Sequence, residues 1–337
     1  MLRVVVLLCL TAVLMMPHKG FTDQLSSTNS MIEIKDSNGI QQFASIPTRV
    51  AALNWDVAEQ VLELGVTPIA MPDVAGYKEW VMNPAVPDEV MDVGTRVEPN
   101  FQRLAALKPD VIIIASPQLD LLPRLEQIAP VLFFQTYSEH HDNAQAALDN
   151  FLSIAKLLGK EPEAQTRIAQ MHAVIAEQKQ QLLSAYNGTL PKVSTFRFAS
   201  MTSVYLYGDN STAQYALKLL GIEPALKVEA TQWGLKQQRL KSLRYIGDGV
   251  ALYFEPFAQE TELSQSVMWN AMPFVRHNKM NSIAPAWNYG GAISIEYMAQ
   301  ALTKSLLAIA PNSVNTAPMA IDAELMSSDK SAIEGEL

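Results

Sequence analysis

The sequence predicts an α/β protein of two αβ lobes, with parallel-type sheets flanked by helices, joined by one long interdomain helix. Three observations predict this fold class. Short apolar strand candidates alternate with amphipathic helix candidates in both halves of the chain, as is typical of strands joined by helical crossovers. An uninterrupted helical pattern lies between the two halves, over residues 161–186. The length of 337 residues also suits two lobes of ordinary size.

The N-terminal residues have the pattern of an export signal. Arg3 forms a short basic region, and an apolar run of 13 residues follows it from Val4 to Met16. This run has the length of a signal-peptide core and is too short to cross a bilayer. We therefore expect residues 1–22 to be a signal peptide and the protein to lie in the periplasm. The only cysteine, Cys9, follows a leucine where a lipidation signal has a small residue, so lipid anchoring is not expected.

The first lobe is predicted over residues 23–160, and it begins with a polar, turn-rich stretch that contains one hairpin strand. Its later strand candidates are short and apolar. They are RVAAL (49–53), PIAMP (68–72), VMDVG (90–94), VIIIAS (111–116) and VLFFQT (131–136). Its helix candidates are amphipathic. They are DVAEQVLELG (56–65), NFQRLAALKPD (100–110), LLPRLEQIAP (121–130) and NAQAALDNFLSIAKLLGK (143–160).

A mostly polar connecting helix is predicted over residues 161–187, with Pro162 in its first turn, where proline is tolerated. It is longer than an average helix and would be a rigid connection. The second lobe is predicted over residues 188–312. Its strand candidates are KVSTFRFA (192–199), SVYLYG (203–208) and VALYFEP (250–256), and its helix candidates are STAQYALKLLG (211–221) and IEYMAQALTKSLLAIA (295–310). Residues 313–337 form a polar tail.

Composition and motifs exclude several function classes. The net charge of −9 argues against nucleic acid as a partner, because phosphate binding needs a basic surface. No nucleophile elbow, P-loop, zinc-protease or dinucleotide motif occurs in the sequence. An exported αβ hydrolase remains the alternative of another class. It would need a nucleophile–base pair or a metal site, for which Asp92 with Ser116 or His140 are the candidates. The pair His140–His141 is more typical of a solvated turn than of a metal site.

One arginine and several aromatic residues occupy loop positions. Arg96 lies in the Gly/Pro-flanked loop DVGTRVEPN, between an apolar strand and an amphipathic helix. The aromatic residues lie at strand ends or between strand candidates; they are Trp55, Tyr77, Trp80, Trp233, Trp287 and Tyr289. Such residues at the rim of an αβ sheet suit a bulky amphiphilic ligand. Trp269, in VMWNAMPFV, is predicted to be ordinary core.

The motifs DVGTRVEPN, YKEWV, TQWG and MWNAMPFV…PAWNYG together resemble the periplasmic iron-siderophore binding proteins, and among them the carriers of ferric hydroxamates. The likeness extends from about residue 47 to residue 310. It implies the two-lobed fold, a shallow cleft between the lobes, delivery of a ferric siderophore to an ABC-type inner-membrane permease, and no catalysis. We expect a monomer, because a carrier must present both lobes to its permease.

Hydroxamate siderophores already give ferric iron six oxygen ligands, so no cofactor and no protein metal site are expected. Iron would be bound only through the siderophore. The resemblance implies that Arg96 donates to the negatively charged oxygens around the iron, a task that suits a guanidinium. It also places in the cleft the aromatic residues Trp55, Trp80, Trp233, Trp287 and Tyr289, with Tyr77 beside them.

Two further positions follow from the resemblance. Close members of the family have a tyrosine in the loop where this chain has ASPQLDLL, and Gln118 is the nearest counterpart. Its amide can donate a hydrogen bond but offers no aromatic wall, so the preferred ligand can differ from ferrichrome toward ferrioxamines. Glu98 is expected to dock the permease from the first lobe, with Glu229 and Glu255 as second-lobe candidates. Carriers of haem, catecholate siderophores or cobalamin on the same fold remain alternatives.

Overall fold

A computed structural model of the chain describes residues 31–311. The predicted signal peptide and polar tail lie outside these residues. The strands are β1 (Ile32–Asp36), β2 (Gly39–Phe43), β3 (Val50–Ala52), β4 (Ala70–Met71), β5 (Met91–Asp92), β6 (Val111–Ala115), β7 (Val131–Phe134), β8 (Val193–Ser200), β9 (Ser203–Tyr207), β10 (Leu235–Arg239), β11 (Val250–Phe254) and β12 (Met280–Ile283).

The helices surround two five-stranded sheets. They are α1 (Trp55–Glu63), α2 (Val74–Trp80), α3 (Phe101–Ala106), α4 (Leu122–Leu125), α5 (Asn143–Leu157), α6 (Glu161–Ala185), α7 (Thr212–Leu220), α8 (Glu260–Ser264), α9 (Val267–Asn270), α10 (Pro273–Arg276) and α11 (Ser294–Ala308). In the described chain, no helix is both long enough and apolar enough to cross a membrane.

The first sheet is parallel throughout, in the order β5-β4-β3-β6-β7. Its strands other than the edge strand β5 are mostly buried and apolar, as in Val111–Ala115, where all five residues are buried. Such a sheet needs helices on both faces. Because all strands run in one direction, their carboxyl ends meet at one edge, where ligands of open αβ sheets bind. The hairpin β1–β2 joins this lobe through a hydrogen bond from Ser37 N to Phe133 O.

The second sheet is mixed, in the order β10-β9-β8-β11-β12. Strands β8, β11 and β12 are parallel, whereas β9 runs antiparallel to both β8 and β10. The second lobe therefore has the predicted parallel strands, with an antiparallel pair added at one edge. The antiparallel pairing has a physical reason. Strand β8 ends at Ser200 and β9 begins at Ser203, so the connection between them is very short. So short a turn can only reverse the chain.

Two predicted elements of the first lobe differ from those observed. The stretch LLPRLEQIAP forms only the short helix α4, preceded by a 3-10 turn over Ser116–Leu121. The stretch GYKEWV, expected to be a loop, lies in helix α2, where Asp73 accepts a hydrogen bond from Gly76 N as the N-terminal cap. Capping by an aspartate side chain starts a helix that apolar periodicity alone does not mark.

The helix α6 lies against both lobes. It packs on α5 from the first lobe and on α7 and α11 from the second. One apolar cluster runs through it, and its members include Ile113, Met171, Leu182, Leu252 and Leu302. The two lobes therefore share a continuous core, and separating them would expose apolar surface at about 25 cal/mol per Å².

Candidate ligand-binding site

A cavity of about 370 Å³ lies between the lobes, at the carboxyl ends of the first-lobe strands. Its lining comes from loops that follow β3, β4, β5, β6 and β7, and from two loops of the second lobe. The lining residues are Asn54, Asp56, Asp73, Thr95, Arg96, Val97, Ala115, Ser116, Pro117, Tyr137, Trp233, Trp287 and Tyr289. The position agrees with the general rule for open αβ sheets.

A tight loop presents Arg96 to this cavity. Gly94 has a φ of 97°, and a Cβ at this position would lie 3.1 Å from the backbone oxygen of Glu98. Glycine adopts this conformation without strain. Gly94 and Pro99 form an isolated antiparallel bridge that closes the loop, and Thr95 Oγ1 accepts a hydrogen bond from Glu98 N. The loop is thus fixed at both ends, with Arg96 at its tip.

Buried amides hold the loop from below. The Gln118 Nε2 group donates to the backbone oxygen of Arg96 over 2.8 Å. Its Oε1 atom accepts from Ala115 N and from Asn54 Nδ2, over 3.1 Å and 3.3 Å. Asn54 also caps helix α1. Because Gln118 is fully buried, these bonds form in a low-dielectric setting and restrict where Arg96 can lie.

The guanidinium of Arg96 rests on aromatic faces. Its Cζ atom lies 3.9 Å from the centroid of Trp55 and 5.7 Å from that of Trp287, within the range of cation–π attraction. Partial burial lowers the pKa of Arg96, while the carboxylates of Asp73 and Asp56 oppose that shift. No residue among those described accepts a hydrogen bond from the guanidinium, so its donors are available to a ligand.

Four aromatic side chains form the opposite wall. Tyr137 lies with its ring centroid 6.0 Å from Trp233 and 5.5 Å from Tyr289. Tyr289 lies 5.8 Å from Trp287, in an edge-to-face arrangement. Trp233 remains 43% exposed, so a ligand can cover it. The cavity therefore combines one cation with a broad aromatic surface.

Most of the first lobe, the connecting helix and part of the second lobe match a known protein family. The model of the family described as "Periplasmic binding protein" matches residues 50–241 of the chain.

The chain belongs to the periplasmic binding protein family.

Relatives of this periplasmic binding protein extend the match. It is 29% identical over 262 residues to the iron(3+)-hydroxamate-binding protein FhuD of Escherichia coli K12, covering 77% of this chain and 87% of that protein. It is 49% identical to the siderophore binding protein FhuD from Vibrio cholerae, whose crystal structure is Fe3+–Desferal bound. That match has a TM-score of 0.76 and covers 79% of this chain and 100% of the other.

Other solved structures share the fold at low identity. The periplasmic catecholate-siderophore binding protein VctP from Vibrio cholerae is 17% identical, with a TM-score of 0.62, and the match covers 82% of this chain and 99% of the other. Family and fold are those of solute-binding proteins and not of enzymes. The family predicted from the motifs is confirmed, and so is the fold class of two α/β lobes.

Four predicted ligand contacts line the cavity of this periplasmic binding protein, and four do not. Arg96, Trp233, Trp287 and Tyr289 line it. The other four lie elsewhere. Trp55 starts α1, is only 2% exposed, and supports Arg96 from below.

Tyr77, Gln118 and Trp80 do not line this cavity either. Tyr77 is fully buried against Trp55, and its hydroxyl donates to Asn83 O. Gln118 uses its amide within the protein, as described above, rather than toward the cavity. Trp80 lines a neighbouring cavity beyond Trp287.

Tyr137 is a lining residue that the sequence analysis missed. It follows β7, and its hydroxyl donates to Gly290 O across the lobes over 3.0 Å. Burial raises the pKa of Tyr137 well above its usual value, so the phenol stays neutral and keeps its proton for that bond. Its place just after a strand of the parallel sheet is the signal that could have found it.

No metal cage accompanies the cavity: within residues 31–311, no group of three or more His, Cys, Asp or Glu side chains could hold a metal ion. His141 Nε2 lies 3.0 Å from Thr136 O, and His140 lies exposed beside Glu139.

Glu98 is exposed in the loop that carries Arg96.

A buried carboxyl group joins the first lobe to the segment that follows the aromatic wall. Glu59, on α1, accepts hydrogen bonds from Gly291 N, Ser294 N and Ser294 Oγ over 2.8–3.0 Å. A Cβ on Gly290 would lie 2.5 Å from Glu59 Oε2, so only glycine permits this approach. Glu59 thereby fixes the chain directly after Trp287 and Tyr289.

The stability of the protein should fall as the pH rises from 6 to 8.5. Burial raises the pKa of Glu59 to about 8, with Glu63 adding to the rise and the bonds from Ser294 and Gly291 opposing it. A raised pKa in the folded state favours the protonated form, so this contribution is complete below the unfolded pKa and is lost as the pH passes through about 8. We expect a loss of about 2.5 kcal/mol in the free energy of unfolding over this range.

Urea unfolding at several pH values tests this expectation. Glu59→Gln should flatten the curve between pH 6 and 8.5, whereas Glu126→Gln, at an exposed position, should leave it unchanged. Asp56, whose pKa burial raises to about 6, titrates mainly below this window. A wild-type curve that is flat or rises with pH would contradict the assignment to Glu59.

Proposed function

We propose that this protein captures a ferric hydroxamate siderophore in the cavity at Arg96 and delivers it to an ABC-type inner-membrane permease. The observation that carries the proposal is the guanidinium of Arg96, which faces an aromatic-walled cavity with no acceptor among the described residues. A ferric hydroxamate places negatively charged oxygens around its iron. Charge-assisted hydrogen bonds from arginine to such oxygens are among the stronger ones.

The rest of the cavity fits the same ligand. Hydroxamates provide all six oxygen ligands of ferric iron, so the protein needs donors and apolar surface rather than ligands of its own. Trp233, Trp287 and Tyr289 offer that surface. The Fe3+–Desferal in the crystal structure of the FhuD protein from Vibrio cholerae, at 49% identity, supports a ferrioxamine-type ligand.

Docking to the permease is assigned to Glu98 in this proposal. Glu98 lies two residues beyond Arg96, is exposed, and its carboxylate has no partner among the described residues. It stands outside α3, whose N-terminal cap is Asn100, so it is not needed for capping. An acidic side chain beside the cavity can meet a basic pocket of the permease. Carriers of this kind act as periplasmic monomers in our proposal.

A titration followed by tryptophan fluorescence tests the function. The purified protein is titrated with ferrichrome, ferrioxamine B, haemin and cobalamin, and retention of each ligand is measured in parallel by equilibrium dialysis. We expect saturable quenching by a ferric hydroxamate at micromolar or lower concentration, because Trp233 and Trp287 line the cavity. The double variant Trp233→Phe with Arg96→Ala should lose both the quenching and the retention.

The ligand series separates the alternatives. Saturable binding of haemin or cobalamin, with no binding of either hydroxamate, would contradict the proposed ligand class without affecting the fold assignment. If none of the four ligands binds, the hydroxamate proposal is wrong and catecholate siderophores are the next ligands to test. Retention of a hydroxamate by the double variant at unchanged affinity would place the binding site elsewhere.

A further inference from the structure

A second cavity of about 310 Å³ adjoins the first. The two cavities share Trp287 and Tyr289, so these side chains form the ridge between them. Beyond the ridge, the wall is aromatic, with Trp80 from the first lobe and Phe198 and Phe254 from the second. A ligand bound at Arg96 can therefore continue over the ridge without leaving aromatic surface.

Arg197 brings a positive charge to the second cavity. It lies exposed on β8, with its Cζ atom 4.7 Å from the centroid of Tyr205. Among the residues that the structure describes, none accepts a hydrogen bond from its guanidinium. The donors of Arg197 thus face the cavity unused, as those of Arg96 face the first one.

Glu255 brings a negative charge to the same cavity. It follows β11, and its backbone N–H donates to Ile283 O over 3.0 Å, which fixes its position. Its carboxylate pairs with no described residue, and it forms no ion pair with Arg197 although both line the cavity. Two unpaired opposite charges on one aromatic cavity suit a group that carries both a carbonyl oxygen and a cation.

We propose that the second cavity binds the pendant chain of a linear hydroxamate siderophore, with Glu255 and the aromatic wall holding a terminal primary ammonium and Arg197 donating to an amide carbonyl. This proposal rests on the proposed function and narrows its substrate class. Aromatic faces attract ammonium groups, and a carboxylate beside them adds a charge-assisted hydrogen bond. The chain's methylenes would cross the ridge at Trp287 and Tyr289.

Three iron complexes with one iron centre test the proposal. They are ferrioxamine B, which ends in an ammonium, its N-acetyl derivative, which is neutral, and its N-succinyl derivative, which ends in a carboxylate. We expect the wild-type protein to bind ferrioxamine B about fivefold more tightly than the N-acetyl complex, a modest factor because Glu255 is exposed. The difference should shrink at high ionic strength.

Variants assign the effect to the two charges. Glu255→Gln should remove the preference for ferrioxamine B and leave the N-acetyl affinity unchanged, whereas Glu262→Gln, an exposed glutamate outside the cavity, should change nothing. Arg197→Gln should weaken both complexes about fivefold, and Arg239→Gln, on the exposed edge of β10, should not. Thermal unfolding of each variant checks that the fold is kept.

Each other outcome overturns a different statement. Equal affinity of the wild-type protein for ferrioxamine B and its N-acetyl derivative would overturn the ammonium site while leaving the proposed function intact. Tightest binding of the N-succinyl complex, lost in Arg197→Gln, would assign the cavity to a carboxylate instead. Failure of all three complexes to bind, with ferrichrome still bound, would overturn this inference alone, whereas failure of ferrichrome as well would overturn the proposed function.

Discussion

Replacing Arg96 by alanine is expected to weaken ferric hydroxamate binding at least tenfold, which corresponds to about 1.4 kcal/mol or more. The guanidinium is the cation that lines the first cavity among the described residues, and its donors have no partner there. Without it, the iron-bound oxygens would leave water for a cavity of aromatic rings, and a hydrogen bond to a charged group contributes about 1.5–3 kcal/mol. Equilibrium dialysis of iron-loaded ferrioxamine B measures the loss directly.

Arg124 offers a matched control for this substitution. Its guanidinium also rests on an aromatic ring, 3.8 Å from the centroid of Phe101, but it does not line the cavity. Arg124→Ala should leave the affinity unchanged. Arg96→Lys should recover only part of it, since an ammonium lacks the planar fork of donors. Equal affinities of wild type and Arg96→Ala would remove Arg96 from the site.

The sequence indicates which loops lie near one another, but it does not indicate how deeply each side chain in those loops is buried. Arg96, Trp233, Trp287 and Tyr289 line the cavity, and the sequence marks each of them because it lies in a recognisable turn next to a strand or helix. Trp55 occupies an equally suggestive position, yet it lies under Arg96 rather than beside a ligand. Depth depends on which side chain covers which, and that is a tertiary property.

The contacts of Gln118, a polar residue, likewise depend on tertiary packing that the sequence does not reveal. Its amide was expected to donate to a ligand, and the structure instead gives it three partners inside the protein, among them the backbone of Arg96. A glutamine in a loop can serve either role. Choosing between them needs the distances to Asn54 and Ala115, which are close in space and set by the packing of β3 against β6.

The first lobe was predicted well because its buried strands are short apolar runs between helix signals. The antiparallel strands of the second lobe were not, since the order and direction of strands depend on connections as well as on apolar pattern. Contacts between the lobes were also absent from the prediction. Arg167 is the main example, because nothing in a polar helix of the sequence marks one arginine as buried.

Replacing Arg167 by methionine is expected to lower the free energy of unfolding by about 3–5 kcal/mol. Arg167, on α6, pairs with Glu63 of α1 over 3.0 Å and with Glu296 of α11 over 2.6 Å, and all three side chains are largely buried. Although burial lowers it, the two carboxylates raise the pKa of Arg167 above its usual value. Removing the cation leaves two buried negative charges facing each other, with the hydroxyl of Tyr297 donating to Glu63 and the amide of Gln300 donating to Glu296.

Urea unfolding at neutral pH measures this loss, and Lys160→Met is the matched control. Lys160 also pairs with a glutamate at the start of α6, over 2.9 Å to Glu163, but that pair is exposed. Its loss should cost less than about 1 kcal/mol. If Arg167→Met cost no more than Lys160→Met, the buried network would not hold the lobes together. A large loss would instead show that the network, which joins α1, α6 and α11 at a single point, holds the two lobes together. The network would then keep Arg96 of the first lobe at a fixed distance from Trp287 and Tyr289 of the second.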